Sequence, residues 1–171
     1  MFAISEQAYS VSSMSCRLLE IMSSLAQVLP ERYGYVVLAV AGGSLVNIYH
    51  IVQVAKARKQ YSVKAPLTYS EDEPAFNRIM RAHLNYLENY PFFACTMLLG
   101  GLQYPRASTS AGVMWLVGRI WYAKAYAEDS SKRGSGFMIS SLAQLLMLGN
   151  TIGFGLRHAG VIAACRARFS R

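Results

Sequence analysis

The sequence predicts an all-α membrane protein: a four-transmembrane-helix bundle with an extra amphipathic helix at its N-terminus. Composition is the first reason. Of 171 residues, 53% are hydrophobic and only 15% charged, against about 25% charged in ordinary soluble domains. Mean hydropathy is +0.23. The second reason is uncharged runs near the length of a membrane span, which needs about 20 mainly apolar residues. The third is a set of ionisable residues placed at helical spacing among those runs, where lipid makes them costly. Disorder, collagen and low-complexity classes are excluded by the same composition. Cys16, Cys95 and Cys165 form neither a disulfide framework nor a metal-ligand cluster, so no metal is expected. A net charge of +8 would suit nucleic acid. The basic residues, however, are scattered between apolar runs and not gathered on one face. The expected partner is therefore the lipid bilayer, with no nucleic acid.

Residues 1–32 read as an N-terminal extension. Leu18, Ile21, Met22, Leu25, Val28 and Leu29 recur at helical spacing with serines opposite, the pattern of an amphipathic helix. The first span is read over 33–55, uncharged between Arg32 and Lys56, with Gly42, Gly43 and Ser44 allowing close helix packing. The second is read over 76–104, because the uncharged stretch Asn89–Tyr104 alone is too short to cross. It thereby takes in Arg78, Arg81, His83 and Glu88. Glu71-Asp72-Glu73 reads as a solvated turn before it, with Pro74 at the helix start. Pro105 and Arg106 mark the turn to the third span, 108–130, and the fourth covers 134–156. Residues 33–160 then make one transmembrane domain and 161–171 a basic tail. Lys56, Arg58, Lys59, Lys64, Lys124, Lys132 and Arg133 belong to the first and third connections, against Arg106 alone in the second. That bias puts the first and third connections on the cytoplasmic side, although Arg166, Arg168 and Arg171 in the tail run against it. Tyr33, Tyr35, Tyr104 and Trp115 are expected as interfacial aromatics, and His50 and His158 as packing or interface residues.

The ionisable residues within the spans have a pattern. Arg81, Asn85 and Glu88 stand at i, i+4 and i+7 on one helix face, with Arg78 one turn earlier. Arg119, Tyr122 and Tyr126 repeat the arrangement on the third helix, and Arg133 falls within about 40° of that stripe if the helix continues. Arginine forks suit carboxylates or phosphates. Glu88 suits an ammonium group, and Asn85 and the tyrosine hydroxyls add neutral hydrogen bonds. A γ-glutamyl tripeptide such as glutathione has that charge pattern. The alternative is structural: Arg81–Glu88 and Arg119 form buried ion pairs that hold the bundle together.

Three segments resemble the signatures of one family. These are Arg81-Ala82-His83-Leu84-Asn85-Tyr86-Leu87-Glu88-Asn89-Tyr90-Pro91, then Gly118-Arg119-Ile120-Trp121-Tyr122 with Tyr126 and Ser131-Lys132-Arg133, and Ala57-Arg58-Lys59 with Tyr61 and Ala65-Pro66-Leu67. The chain resembles the membrane-associated proteins in eicosanoid and glutathione metabolism (MAPEG), nearest to the microsomal glutathione S-transferase 3 branch. The resemblance implies a four-helix bundle assembled as a homotrimer, with glutathione as co-substrate between subunits. It implies that Arg58, Arg81, Asn85 and Glu88 hold glutathione from one subunit, and Arg119, Tyr122 and Tyr126 from the next. Arg133 matches the arginine proposed to activate the thiol; a guanidinium lowers a thiol pKa from about 8.5. Asn89 stands where the leukotriene synthase branch has a tyrosine, and His83 where it has a glutamine. The cysteine pair at the C-terminus of the transferase 3 branch is reduced here to Cys165.

Two functions of different class follow. One is a membrane glutathione transferase or peroxidase acting on lipid electrophiles such as leukotriene A4, or on lipid hydroperoxides, in the endoplasmic reticulum or a mitochondrial membrane. The other is a non-catalytic accessory subunit lodged among unlike membrane chains, which the N-terminal extension favours.

Overall fold

Backbone amides in an apolar run find partners only within their own helix when no water is near, and each expected run is helical. The computed structural model describes residues 28–161 together with Arg17. Four helices follow in order: α1 (Tyr33–Gln60), α2 (Pro74–Gly101), α3 (Pro105–Glu128) and α4 (Gly134–His158), with a 3₁₀ turn at Ser130–Arg133. Two segments, Tyr33–Gln60 and Ser130–His158, are long and apolar enough to cross a membrane. The amphipathic helix expected over 1–32 and the basic tail expected over 161–171 lie outside the described residues, save Arg17, 28–32 and Val161.

The helix ends differ from expectation for local reasons. α1 continues one turn past Ala55, so Arg58 and Lys59 ride on its last turn, where the helix dipole favours cations. Pro74 opens α2 at its first position, where the missing N–H costs nothing, and Asn77 clamps the preceding loop through two bonds to the Ser70 backbone, at 2.8 and 2.6 Å. α3 stops at Glu128 because Asp129 is extended (φ −151°, ψ 126°). Its carboxylate accepts the Ser131 N–H at 2.9 Å, and hydrogen bonds from Ser131 hold that carboxyl below the usual carboxylate range. The third helix therefore does not continue to Arg133, which reaches its place on the 3₁₀ turn.

α1 packs on α2 and α3, and α4 packs on the same two from another side. The contacts are made by small residues. A β-carbon on Gly136 would run into the backbone of Tyr122, and one on Gly118 would lie 2.8 Å from the Ser140 amide nitrogen. Gly43 opposes Tyr86, whose hydroxyl donates to the Gly43 carbonyl at 2.6 Å, and the Ser44 hydroxyl pairs with that of Tyr90 at 3.1 Å. Small residues thus bring the helices together as expected of 42–44. Trp115 departs from expectation. It is 2% exposed and stacks on Phe93 with ring centroids 4.2 Å apart, because its face of α3 is turned to α2. Large apolar side chains point outward instead, with Leu45 68% and Met138 71% exposed.

Gly136→Val should lower stability by about 2 kcal/mol or more, since a backbone neighbour cannot give way as a side chain does. The check is a thermal unfolding midpoint in detergent, with Gly149→Val, which faces open space, as the control that stays near the parent.

Candidate functional site

The expected face of α2 forms. The Arg81 Nη1 donates to Glu88 Oε1 at 3.1 Å, and Asn85 Nδ2 lies 3.4 Å from the other carboxylate oxygen. From α3, Arg119 Nη2 donates both to the Asn85 carbonyl at 2.7 Å and to its Oδ1 at 2.8 Å. The Asn85 amide is thereby oriented by its neighbours: oxygen to the guanidinium, nitrogen to the carboxylate. The Asn85 carbonyl also accepts from Asn89 Nδ2 at 2.7 Å.

Arg119 is 3% exposed. Its guanidinium lies against the Trp115 and Tyr122 rings, 5.4 and 5.2 Å from their centroids. Desolvating a charge costs several kcal/mol, and the two hydrogen bonds and two ring faces offset that cost. Tyr122 stacks on Tyr126 at 5.6 Å with planes 9° apart, and Arg133 sits 5.7 Å from the Tyr126 ring. One unbroken row results within a single chain: Arg81, Glu88, Asn85, Arg119, Tyr122, Tyr126, Arg133. Guanidiniums that reach solvent stand at both ends, with the Glu88 carboxylate between them.

The alternative of buried ion pairs does not describe this arrangement. The Arg81 and Glu88 side chains are 54% and 50% exposed, where such pairs contribute little, and Arg119 bonds a neutral amide. Seven of the eight expected residues come together. Arg58 does not join them within one chain: its guanidinium lies over Phe76 at 5.4 Å, with Nη1 buried and unpartnered. Phe76 and Arg81 are five residues apart, roughly 140° around α2, so Arg58 serves a different face. Two residues singled out in the sequence make contacts that were not assigned to them there. Trp115, four residues before Arg119, supplies a ring for it, a spacing that was legible. Arg78 Nε donates to the Ala127 carbonyl at 3.2 Å and ties the start of α2 to the end of α3, a backbone partner no pattern reveals.

What this arrangement offers is a polar, net-cationic strip at one end of an apolar bundle, suited to an anion that also carries an ammonium group. A profile of the MAPEG family matches residues 36–153, which include every residue of the row. Microsomal glutathione S-transferase 2 of Homo sapiens is 36% identical over 104 residues, 59% of this chain and 69% of that protein. Leukotriene C4 synthase of Cavia porcellus is 32% identical over 130 residues, 75% of this chain and 85% of that one. An uncharacterized protein of Synechocystis is 30% identical over 112 residues, 65% and 80% respectively.

Asn85→Ala removes one of the two bonds that Arg119 makes. It should cost about 1.5–3 kcal/mol, the range for a hydrogen bond to a charged group, while Asn85→Asp should retain most of the stability. Thermal midpoints of the two variants against Asn89→Ala decide it.

Proposed function

The chain belongs to the MAPEG family, a membrane-integral family, and from that premise we propose that it is a glutathione transferase and peroxidase acting on lipid electrophiles, with the polar row as its glutathione site. The observation that carries the proposal is the row itself, continuous in one chain, with guanidiniums at both ends and one carboxylate between. Names of relatives support it, since they include glutathione S-transferases and leukotriene C4 synthases. In this reading all four helices cross the bilayer. The large apolar side chains turned outward on α1 and α4 suit lipid and neighbouring subunits.

Glutathione carries two carboxylates and one ammonium group. Glu88 takes the ammonium, Arg81 a carboxylate, and Asn85 and the tyrosine hydroxyls the neutral groups. Arg119 holds Asn85 and Tyr122 in place from beneath. Arg133, at the open end beyond Tyr126, stands by the thiol and favours the thiolate. The thiolate attacks an epoxide carbon; the S–C bond forms as the C–O bond breaks, and the oxygen takes up a proton. With a hydroperoxide, two glutathione molecules are oxidised to the disulfide, and the products are an alcohol and water. Arg58 lies on another face of the same chain and contributes across a subunit boundary, which is the role for a homotrimer here. His83 and Asn89 are the residues on which we place the chain beside the microsomal glutathione S-transferase 3 branch.

Protein in nanodiscs should conjugate glutathione to a lipid epoxide and reduce a fatty-acid hydroperoxide. Arg133→Ala should lower kcat about 100-fold, the scale of losing one preorganised electrostatic partner, while glutathione binding changes little. Glu88→Gln should instead raise KM for glutathione. Absence of both binding and turnover, or native mass spectra showing one copy held among unlike chains, would turn the assignment to an accessory subunit.

A further inference from the structure

A second polar feature shares none of the residues of that row. At the end of the bundle that carries Gln60 and Glu128, a cavity of about 370 Å³ lies between the last turns of α1 and α3, backed by α2. That volume falls in the range of small-molecule sites. Deeper in the bundle the same seam is shut: a β-carbon on Gly42 would lie 3.3 Å from Leu116 Cδ1, and one on Gly112 3.7 Å from the Ala39 β-carbon. It opens where Ala57, Ala82 and Ala123, all buried, supply a floor of small side chains.

The walls are polar. Tyr49, Gln53, Lys56 and Gln60 stand at i, i+4, i+7 and i+11, which places them on one face of α1, and Gln53 Nε2 donates to the Tyr49 hydroxyl at 3.1 Å. Lys124 and Glu128 line the cavity from α3. Glu128 lies 4.0 Å from Lys132, while Lys56 and Lys124 are exposed and have no acidic partner among the described residues. Two ammonium groups without counter-ions at one recess attract an anion. α1 and α3 both end here. One turn deeper each lysine gives way to an exposed apolar residue, Val52 before Lys56 and Trp121 before Lys124. Charge above apolar surface is the profile of a lipid molecule with its headgroup outward.

We propose that this cavity holds the headgroup of an anionic phospholipid. The phosphate oxygens accept from Lys56 and Lys124, headgroup hydroxyls bond the Gln53 and Gln60 amides, and the acyl chains leave over Val52 and Trp121, outside the polar walls. A membrane-integral family has such lipids at hand, and basic recesses between membrane helices favour their headgroups. The inference does not rest on glutathione chemistry, since no residue of the polar row lines the cavity.

The probe is dioleoylphosphatidylglycerol, with dioleoylphosphatidylcholine as comparator and glycerophosphate as the soluble headgroup, added to the full chain in nonionic detergent and read by native mass spectrometry. The expected result is one phosphatidylglycerol per chain, held about tenfold tighter than phosphatidylcholine, the scale of two lysines near an anionic lipid. Glycerophosphate should bind far more weakly than the lipid. Lys56→Gln/Lys124→Gln should cancel the preference, whereas Lys59→Gln/Lys64→Gln, which removes the same charge from exposed positions outside the cavity, should keep it. Ala127→Leu, at a half-buried position on the cavity wall, should weaken phosphatidylglycerol about tenfold at an unchanged thermal midpoint. Equal binding of the two lipids, a preference that survives Lys56→Gln/Lys124→Gln or is lost equally in the control pair, or glycerophosphate bound as tightly as the lipid overturns the proposal. The exposed lysine pairs decide it even if Ala127→Leu fails to fold.

Discussion

The contact between Arg119 and Asn85 organises the bundle's polar side. A guanidinium 3% exposed needs its hydrogen bonds met inside the protein, and Asn85 meets two of them. That requirement sets α3 against α2 in one register. It also turns the Asn85 amide towards Glu88, which in turn holds Arg81 at the surface. One buried charge therefore orders a chain of groups that ends in solvent. The tyrosines extend the order in the other direction by stacking, until Arg133 is reached beyond the end of α3.

Close helix approach makes this possible. The Gly118–Ser140 and Gly136–Tyr122 contacts bring α4 against the backbone of α3, so the rotation of α3 that presents Tyr122 has little freedom. Gly43 does the same for α1 against Tyr86 and Tyr90. Small residues stand at the closest helix contacts, while large apolar side chains lie both inside, as Trp115 and Phe93 do, and outside, as Leu45 and Met138 do. It is the arrangement expected where the surroundings are as apolar as the core and association comes from packing and hydrogen bonds. Membership of a membrane-integral family and the two helices apolar enough to cross agree with it.

Much of this was legible along the chain. The stripes on α2 and α3 follow from residue spacing alone, because a helix places i, i+4 and i+7 on one face whatever surrounds it. The turn at Glu71–Glu73 and the start at Pro74 follow from backbone chemistry in the same way. Partners were less legible. The reading that paired Arg119 with a carboxylate failed because Asn85, a neutral residue, stood closest once α3 had docked. Trp115 was expected at an interface because tryptophan commonly lies there, but its face was already committed to Phe93. Arg58 was grouped with Arg81 by the family resemblance alone, while the rotation of α1 sends it to Phe76.

The sequence by itself determined which segments are helical, which faces are polar, and which family the chain resembles. Each of these depends on residue identity and on spacing within one helix. Only the tertiary structure decided which faces meet. It set seven of the eight expected residues in one row and Arg58 apart, broke α3 at Asp129 so that a 3₁₀ turn carries Arg133, and opened a cavity between α1 and α3. The physical reason is that helix rotation and offset are set by close contacts between side chains far apart in the chain, and single-helix periodicity carries no information about them.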